Sequence, residues 1–164
     1  MINKINFLFV TLFGIGKIRK IPGSIASLVT TLFLFFVLHV LNISPNIILI
    51  SIIIIFFISL YAVNIFIKDL ENKDPKEVVI DEFIGQSIPI CLYEIAHEGT
   101  KETNQVLTYY FIIFVLFRIF DITKPFPASY YEKNFKNSIG VIMDDVCAGL
   151  YVVAVLVLYM VITS

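Results

Sequence analysis

The sequence predicts an all-α membrane protein, a polytopic helical bundle that forms a single domain over residues 1–164. Three observations predict this class. Hydrophobic residues make up 59% of the chain and charged residues 15%, whereas soluble domains are about half apolar and a quarter charged. The mean hydropathy is +0.92. The apolar residues also fall into long runs, and a helix needs roughly 20 mostly apolar residues to cross a bilayer.

The N-terminal segment is predicted to be a short helix at the membrane interface. Its apolar run, residues 7–13, follows Lys4 and could be mistaken for a signal peptide, but the run is short. A basic turn, residues 14–20, comes next without a small-residue cleavage motif. We therefore expect the segment to be retained.

Four later runs are predicted to cross the membrane because they are nearly or fully long enough and carry few charges. They cover residues 24–41, 46–67, 105–120 and 146–163. The run at residues 83–96 is shorter and contains Gln86, Ser87, Pro89 and Glu94. It is predicted as a fifth segment, either a packed, tilted span or a re-entrant helix.

The basic residues predict the orientation and favour the fifth crossing. With five crossings and a cytoplasmic N-terminus, eleven of the twelve Lys and Arg residues lie inside and Lys101 alone lies outside. Cytoplasmic loops carry such an excess of positive charge. Three polar segments, residues 14–24, 68–82 and 121–145, would then share the cytoplasmic face at the level of lipid head groups.

Two acidic residues, Asp81 and Glu82, stand where the segment at residues 83–96 begins. An acid at a helix N-terminus can accept from a free backbone N–H and complements the helix dipole. Capping therefore accounts for one carboxylate better than for two. Glu82 and Gln86 are four residues apart, so they are predicted to share a helix face.

A second acidic pair, Asp144 and Asp145, is predicted to precede the last helix. Capping again accounts for one of the two, and up to four carboxylates are expected in one neighbourhood. Like charges that close repel one another unless a cation lies between them. Oxygen ligands beside a phosphate suit Mg²⁺. Because His39 and His97 are predicted away from this face, a zinc site is not expected.

Basic residues lie at the cytoplasmic end of the predicted span at residues 105–120. Arg118 and Asp121 are three residues apart on one helix face and are expected either to pair or to take part in a site. Pro125 is predicted to end the helix and restricts Lys124. Arg118 and Lys124 are candidates for holding phosphate oxygens, and an ordinary positively charged helix end is the alternative.

A glycine-containing stretch precedes the first span and ends in Ile21-Pro22-Gly23-Ser24. Backbone N–H groups at a helix start can bind an anion, so Lys17 and Ser24 are candidate substrate-binding residues. The alternative is a turn that lets the chain re-enter the membrane. All four groups of candidates fall on the same predicted membrane face.

The chain resembles the phosphatidylglycerophosphatase A family from about residue 14 to residue 149. The resemblance is carried by four blocks in the family's order and spacing: G-I-G-K with I-P-G-S, V-V-I-D-E-F-I-G, F-R-I-F-D-I-T-K-P-F-P and G-V-I-M-D-D-V-C-A-G. Where the family usually has A-P-G-T, this chain has I-P-G-S, which keeps a hydroxyl at Ser24.

The resemblance implies a Mg²⁺-dependent lipid phosphatase of the bacterial inner membrane, with its active site on the cytoplasmic face. Its substrate would be phosphatidylglycerophosphate in the bilayer and its product phosphatidylglycerol. The residues that match the family's motifs are Asp81, Glu82, Asp121, Lys124, Asp144 and Asp145. We predict that Asp81, Glu82, Asp144 and Asp145 hold the metal. No nucleic acid partner is predicted, and the oligomeric state is left open.

Two other classes are kept as alternatives. One is a Mg²⁺-dependent phospholipid head-group transferase, although the long acidic motif of phosphatidyltransferases is absent. The other is a small ion or solute transporter, for which Glu94 is the one acid predicted deep within a span. A cysteine-dependent phosphatase is not predicted, since neither Cys91 nor Cys147 is followed by an arginine at the sixth position.

Overall fold

The computed structural model describes residues 4–68, 70, 75–97 and 103–163. For Thr103 and Thr163 it describes the backbone alone. Lys73 and Lys101, which entered the predicted charge distribution, lie outside the described residues. The described helices are α1 (Lys4–Val10), a 3₁₀ helix (Leu12–Lys17), α2 (Pro22–Phe35) continued by a π turn (Phe36–Val40), α3 (Pro45–Ile67), α4 (Ile80–Ala96), α5 (Thr103–Thr123), α6 (Ala128–Asn134) and α7 (Ser138–Thr163).

Four of these helices are long and apolar enough to cross a membrane, which confirms the four predicted spans. They cover Pro22–Val40, Pro45–Ile67, Asn104–Thr123 and Ser138–Ile162. Two of them begin at a proline, Pro22 and Pro45. Proline suits the first helical position because its missing N–H would have no partner there.

The N-terminal segment is helical, as predicted, and packs against the C-terminal half of α3. The Asn6 side chain donates to the Ala62 carbonyl at 3.0 Å, and the rings of Phe7 and Phe66 lie 6.0 Å apart. Val10 is fully buried, and its carbonyl accepts a hydrogen bond from the Val79 N–H. The placement of α1 at the membrane interface stays a prediction.

Helix α4 contains the fifth predicted segment and lies inside the bundle. Ten of its seventeen residues are buried, including Gln86 and Ser87, which are 0% exposed. It runs parallel to α7: Gly85 meets Asp145 near one end, and His97, just beyond α4, shares a cavity with Met160 at the other. A helix covered by its neighbours needs little lipid-facing apolar surface, which explains its weak hydropathy. Its crossing of the membrane stays a prediction.

The prediction that Asp144 and Asp145 precede the last helix is wrong. Helix α7 begins at Ser138, so both acids lie inside it. The Asn137 side chain caps the helix, since its Oδ1 accepts from the N–H groups of Ile139 at 3.0 Å and Gly140 at 3.3 Å. This cap lies seven residues before Asp144 and starts the helix before the apolar run begins.

Helix α6 was not predicted from the sequence. It lies within the polar segment at residues 121–145, follows Pro127, and packs against α7. Its Tyr130 and Tyr131 rings contact the ring of Phe135 at centroid distances of 6.1 and 5.7 Å. A seven-residue helix shows too few turns for its apolar spacing to stand out in the sequence.

Candidate active site

A cavity of about 480 Å³ lies where the N-terminal ends of α2 and α4, the C-terminal end of α5 and the early turns of α7 meet. This volume falls within the range of small-ligand sites. Its charged lining residues are Arg19, Lys76, Asp81, Glu82, Arg118, Asp121, Lys124, Asp144 and Asp145. Ser24 also lines it. The structure thus brings every predicted site residue except Lys17 to one cavity.

Three carboxylates form a group inside this cavity. One oxygen from each of Asp81, Glu82 and Asp145 lies within 4.8 Å of the others. The side chains are largely hidden: Asp81 is 8% and Asp145 3% exposed. The first two come from the first turn of α4 and the third from α7, so the group exists only because these helices touch.

The contact between α4 and α7 depends on two glycines. A Cβ added to Gly85 would lie 2.6 Å from the Asp145 carbonyl oxygen and 2.8 Å from the Phe117 ring. A Cβ added to Gly149 would overlap the Gly85 carbonyl oxygen. Because neither residue has a side chain, the two backbones approach closely enough for Asp145 to reach the acids of α4.

Glu82 lies in a poorly solvated environment between α2 and the other two acids. Its Oε1 packs against Gly23 of α2, and its Oε2 is buried without a hydrogen-bond partner among the described residues. Burial raises the pKa of Glu82 to about 7. The charge of Asp121 adds to the rise, whereas hydrogen bonding between the Glu82 and Asp81 side chains and the charge of Arg118 oppose it. A carboxyl group this poorly solvated is stabilised in its charged form by a cation.

The three carboxylates therefore fit a divalent cation such as Mg²⁺, which binds oxygen ligands and usually retains waters. Asp144 is not part of this group, although it was predicted with the other metal-binding residues. Its Oδ2 lies 2.6 Å from Lys124 Nζ, and its Oδ1 accepts from the Asp145 N–H. Adjacent residues on a helix point about 100° apart, and here Asp144 turns toward Lys124 while Asp145 turns toward the acids of α4.

Lys124 is held in a fixed position beside the carboxylates. It follows α5 with φ +42°, in the left-handed region, and its N–H donates to the Phe120 carbonyl. Its Nζ contacts Asp144 at 2.6 Å and Glu132 at 3.0 Å. Burial by itself lowers the pKa of Lys124, but these two acids outweigh it and raise the pKa above its ordinary value. The lysine therefore stays charged.

Arg118 and Asp121 form the ion pair that their spacing predicts, with Nη1 and Oδ2 2.5 Å apart. The same nitrogen lies 3.4 Å from Ser27 Oγ, a buried hydroxyl of α2. Arg118 Nε is buried and has no partner among the described residues. The guanidinium thus stands at the α2–α5 contact with hydrogen-bonding capacity to spare.

Which of the remaining basic residues line the cavity differs from the prediction. Lys17 Nζ lies 4.5 Å from the Phe7 ring centre, a cation–π contact, and Lys17 does not line the cavity. Arg19 and Lys76 do line it, and neither was singled out from the sequence. The sequence offers one indication of their position: both lie in polar segments, residues 14–24 and 68–82, that are predicted to share a face of the membrane.

Comparison with known proteins identifies the family. The profile of the family described as "Phosphatidylglycerophosphatase A" matches residues 8–160. The chain belongs to this family. A member from Haemophilus influenzae is 32% identical over 157 residues, covering 94% of this chain and 88% of the relative. The Escherichia coli member is 32% identical over 83 residues, 51% of this chain and 43% of the relative.

A further relative, from Bacteroides thetaiotaomicron, is provisionally named a phosphatidylinositol-3-phosphatase. It is 41% identical over 80 residues, 49% of this chain and 45% of the relative. No solved structure matches the chain. The residues that match the family profile include both acidic pairs, Arg118 of α5 and Lys124 just after it. The cavity therefore lies within the matched region. The protein is thus an enzyme of the phosphatase class.

Proposed function

We propose that this protein is a Mg²⁺-dependent phosphatase that removes the terminal phosphate monoester of phosphatidylglycerophosphate and leaves phosphatidylglycerol. The observation that carries the proposal is the juxtaposition of three clustered carboxylates, the buried Asp81 and Asp145 and the half-buried Glu82, with the cations Lys124 and Arg118 in one cavity. Carboxylates that hold a cation and basic side chains that bind phosphate oxygens are recurring parts of metal-dependent phosphoryl-transfer sites. The family supplies the substrate class.

The acidic and the basic residues of the cavity would have different roles. Asp81, Glu82 and Asp145 would hold the metal, which, when bound, would polarise the phosphate and lower the pKa of a water. Lys124 and Arg118 would bind phosphoryl oxygens and neutralise the negative charge that develops during transfer. Their partners, Asp144 and Asp121, hold both cations in the lining of the cavity.

We propose direct attack of water on phosphorus. The water oxygen forms a bond to phosphorus and the water loses a proton. The bond from phosphorus to the glycerol oxygen breaks and this oxygen takes up a proton, so that inorganic phosphate and phosphatidylglycerol are the products. Asp121 is the candidate for orienting the water, because it lines the cavity outside the three-carboxylate group. A phosphorylated protein trapped by acid quench during turnover would overturn this order of events.

The surface around the cavity suits a substrate that stays in the bilayer. Ile21 directly precedes α2, and Ile122 lies near the end of α5. Both line the cavity, and their exposed fractions are 68% and 70%. Apolar side chains at the opening of a charged cavity would contact lipid chains while the head group enters. We propose that the site faces the cytoplasm of a bacterial inner membrane, as the charge distribution predicts.

The transporter alternative rests on Glu94, the one acid predicted deep in a span. Its Oε1 lies 3.2 Å from His39 Nε2, and the Tyr110 hydroxyl lies 3.4 Å from the same nitrogen. Glu94 therefore joins a polar contact between α2, α4 and α5, away from the cavity. This arrangement favours a packing role for Glu94 over an ion path.

Phosphate release by the purified protein tests the proposal. Detergent-solubilised protein should release phosphate from phosphatidylglycerophosphate in Mg²⁺ and lose this activity in EDTA. Phosphatidylinositol 3-phosphate and phosphatidic acid, assayed in parallel, compare head groups. Folded protein that releases no phosphate from any of these lipids would contradict the proposed function, and release that EDTA leaves unchanged would contradict the metal requirement.

A further inference from the structure

The four basic residues that line the cavity fall into two pairs. Arg118 and Lys124 each contact a cavity acid at 2.5–2.6 Å and are partly hidden. Arg19 and Lys76 are exposed, and neither contacts an acid within ion-pair distance among the described residues. Arg118 and Lys124, the inner cations, thus each have a carboxylate partner in the cavity, whereas Arg19 and Lys76, the outer cations, have none among the described residues.

Arg19 and Lys76 come from separate segments that the fold holds together. Gly16, three residues before Arg19, packs so closely on Glu77 that an added Cβ would overlap the Glu77 carbonyl oxygen. The Val79 N–H also donates to the Val10 carbonyl at 3.0 Å, which ties the same two segments a second time. These backbone contacts hold together the two segments that carry the cations, and both cations line the cavity.

Their place in the lining separates them from the other surface lysines. Lys20 is exposed beside Arg19, and Lys133 and Lys136 are exposed on and after α6, yet none of the three lines the cavity. General attraction to an anionic membrane surface would be served equally by all of these positions. Arg19 and Lys76 are the ones placed to contact a ligand in the cavity.

We infer that Arg19 and Lys76 form a second anion subsite, which binds the phosphodiester that joins the substrate's head group to its diacylglycerol. The inference rests on the proposed function. A phosphorylated glycerophospholipid carries two phosphates: the monoester, which the carboxylates and inner cations would take, and the diester nearer the lipid chains. Arg19 lies two residues from Ile21, the exposed apolar residue at the same opening. The subsite would select lipids with a diester and a monoester over phosphatidic acid, which has only the monoester.

Two inhibitors that each carry one kind of phosphate test this subsite. Dihexanoyl phosphatidylglycerol carries only the diester, and inorganic phosphate resembles only the monoester. In the double variant Arg19→Gln/Lys76→Gln, the inhibition constant of the short-chain lipid should rise about 5- to 20-fold, because each exposed charge pair contributes a few-fold. The inhibition constant of inorganic phosphate should change less than about 2-fold. Lys20→Gln is the matched control and should leave both constants unchanged.

Each other outcome overturns the inference. If the double variant weakens both inhibitors equally, the two cations act only through the general surface potential. If the wild-type protein is not inhibited by the short-chain lipid, or if the double variant is inhibited as strongly as wild type, no diester subsite exists here. A wild-type protein that releases no phosphate from phosphatidylglycerophosphate contradicts the proposed function itself, and the inference falls with it.

Discussion

At the scale of single residues, the two members of each acidic pair have different surroundings. Asp145 is 3% exposed and meets the acids of α4, whereas its neighbour Asp144 contacts Lys124. Glu82 has a buried oxygen without a partner among the described residues, and Asp81 accepts from the Glu82 N–H at 3.1 Å. Three of the four acids thus form the proposed metal site, and the fourth pairs with the lysine.

Replacing Asp145 by Asn should abolish turnover while the protein still folds. The amide keeps the shape of the side chain but removes one negative charge from the proposed metal site, so we expect activity to fall at least about 100-fold. Phosphate release measures the activity, and size-exclusion chromatography with a thermal melt measures folding.

Glu132→Gln is the control for this substitution, because Glu132 is exposed and contacts Lys124 outside the three-carboxylate group. It should retain most of the activity. Loss of folded protein in Asp145→Asn would indicate a structural role, and full activity would remove Asp145 from the mechanism.

The pKa of Glu82 makes the stability of the metal-free protein depend on pH. Burial raises this pKa from 4.5 to about 7, so the folded state favours the neutral acid. The associated stability is present below about pH 4.5 and is lost as the pH rises through 7. In EDTA, the melting temperature should therefore fall over this interval.

Glu82→Gln should make that fall smaller, since the amide does not ionise. Mg²⁺ should restore stability mainly above pH 7, where Glu82 is charged and able to bind the cation. Melting curves at several pH values, with Mg²⁺ or EDTA, measure both effects. An identical pH dependence in the variant and the wild type would show that Glu82 does not titrate in this range.

At the scale of secondary structure, the site depends on the register between α4 and α7. Gly85 and Gly149 let the two backbones touch, and this contact carries Asp145 to Asp81 and Glu82. The sequence placed Asp81 and Glu82 correctly at the start of α4. It misplaced the other pair, because the start of α7 is set by the Asn137 cap in a polar segment that resembles a loop.

Replacing Gly85 by Ala should separate α4 from α7 and lower activity more than an exposed substitution does. The new Cβ would meet backbone atoms of Asp145, which cannot move without shifting the helix. We expect at least about a 10-fold loss of activity, since small displacements of reacting groups cost about this much or more, together with a lower melting temperature.

Leu150→Ala, on α7 and 50% exposed, is the matched control and should be close to wild type. Phosphate release and thermal melts of both variants measure the difference. Wild-type activity in Gly85→Ala would show that the close contact between the helices is not needed for the site.

At the scale of the whole molecule, the site groups the polar ends of several helices on one side of the bundle. The opposite ends carry the His39, Glu94 and Tyr110 contact. The charge distribution predicts that the site faces the cytoplasm and that the turn before Pro45 faces outward. Cysteine labelling tests this orientation, because the native Cys91 and Cys147 are both buried.

In intact cells stripped of their outer membrane, a membrane-impermeant maleimide should label Ser44→Cys and leave Lys133→Cys unlabelled. Both positions are exposed, and Lys133 lies on α6 beside the cavity-lining segments. Permeabilised cells should show labelling of both variants, which serves as the control for reactivity. The reverse pattern would place the site on the outer face and contradict the proposed localisation.

The sequence by itself determined the class of the protein, its four long spans and most of the charged residues that line the cavity. Apolar length and charge asymmetry can be seen along the sequence itself. In a bilayer, a long apolar run forms a spanning helix, and the charge asymmetry predicts which side each loop faces. Only the tertiary structure decided which acids meet. Neighbouring residues on a helix point about 100° apart, so whether Asp144 or Asp145 faced α4 depended on where α7 begins and on the glycines that set its contact. Arg19 and Lys76 came to the cavity for the same reason, because backbone contacts between distant segments leave no local pattern in the sequence.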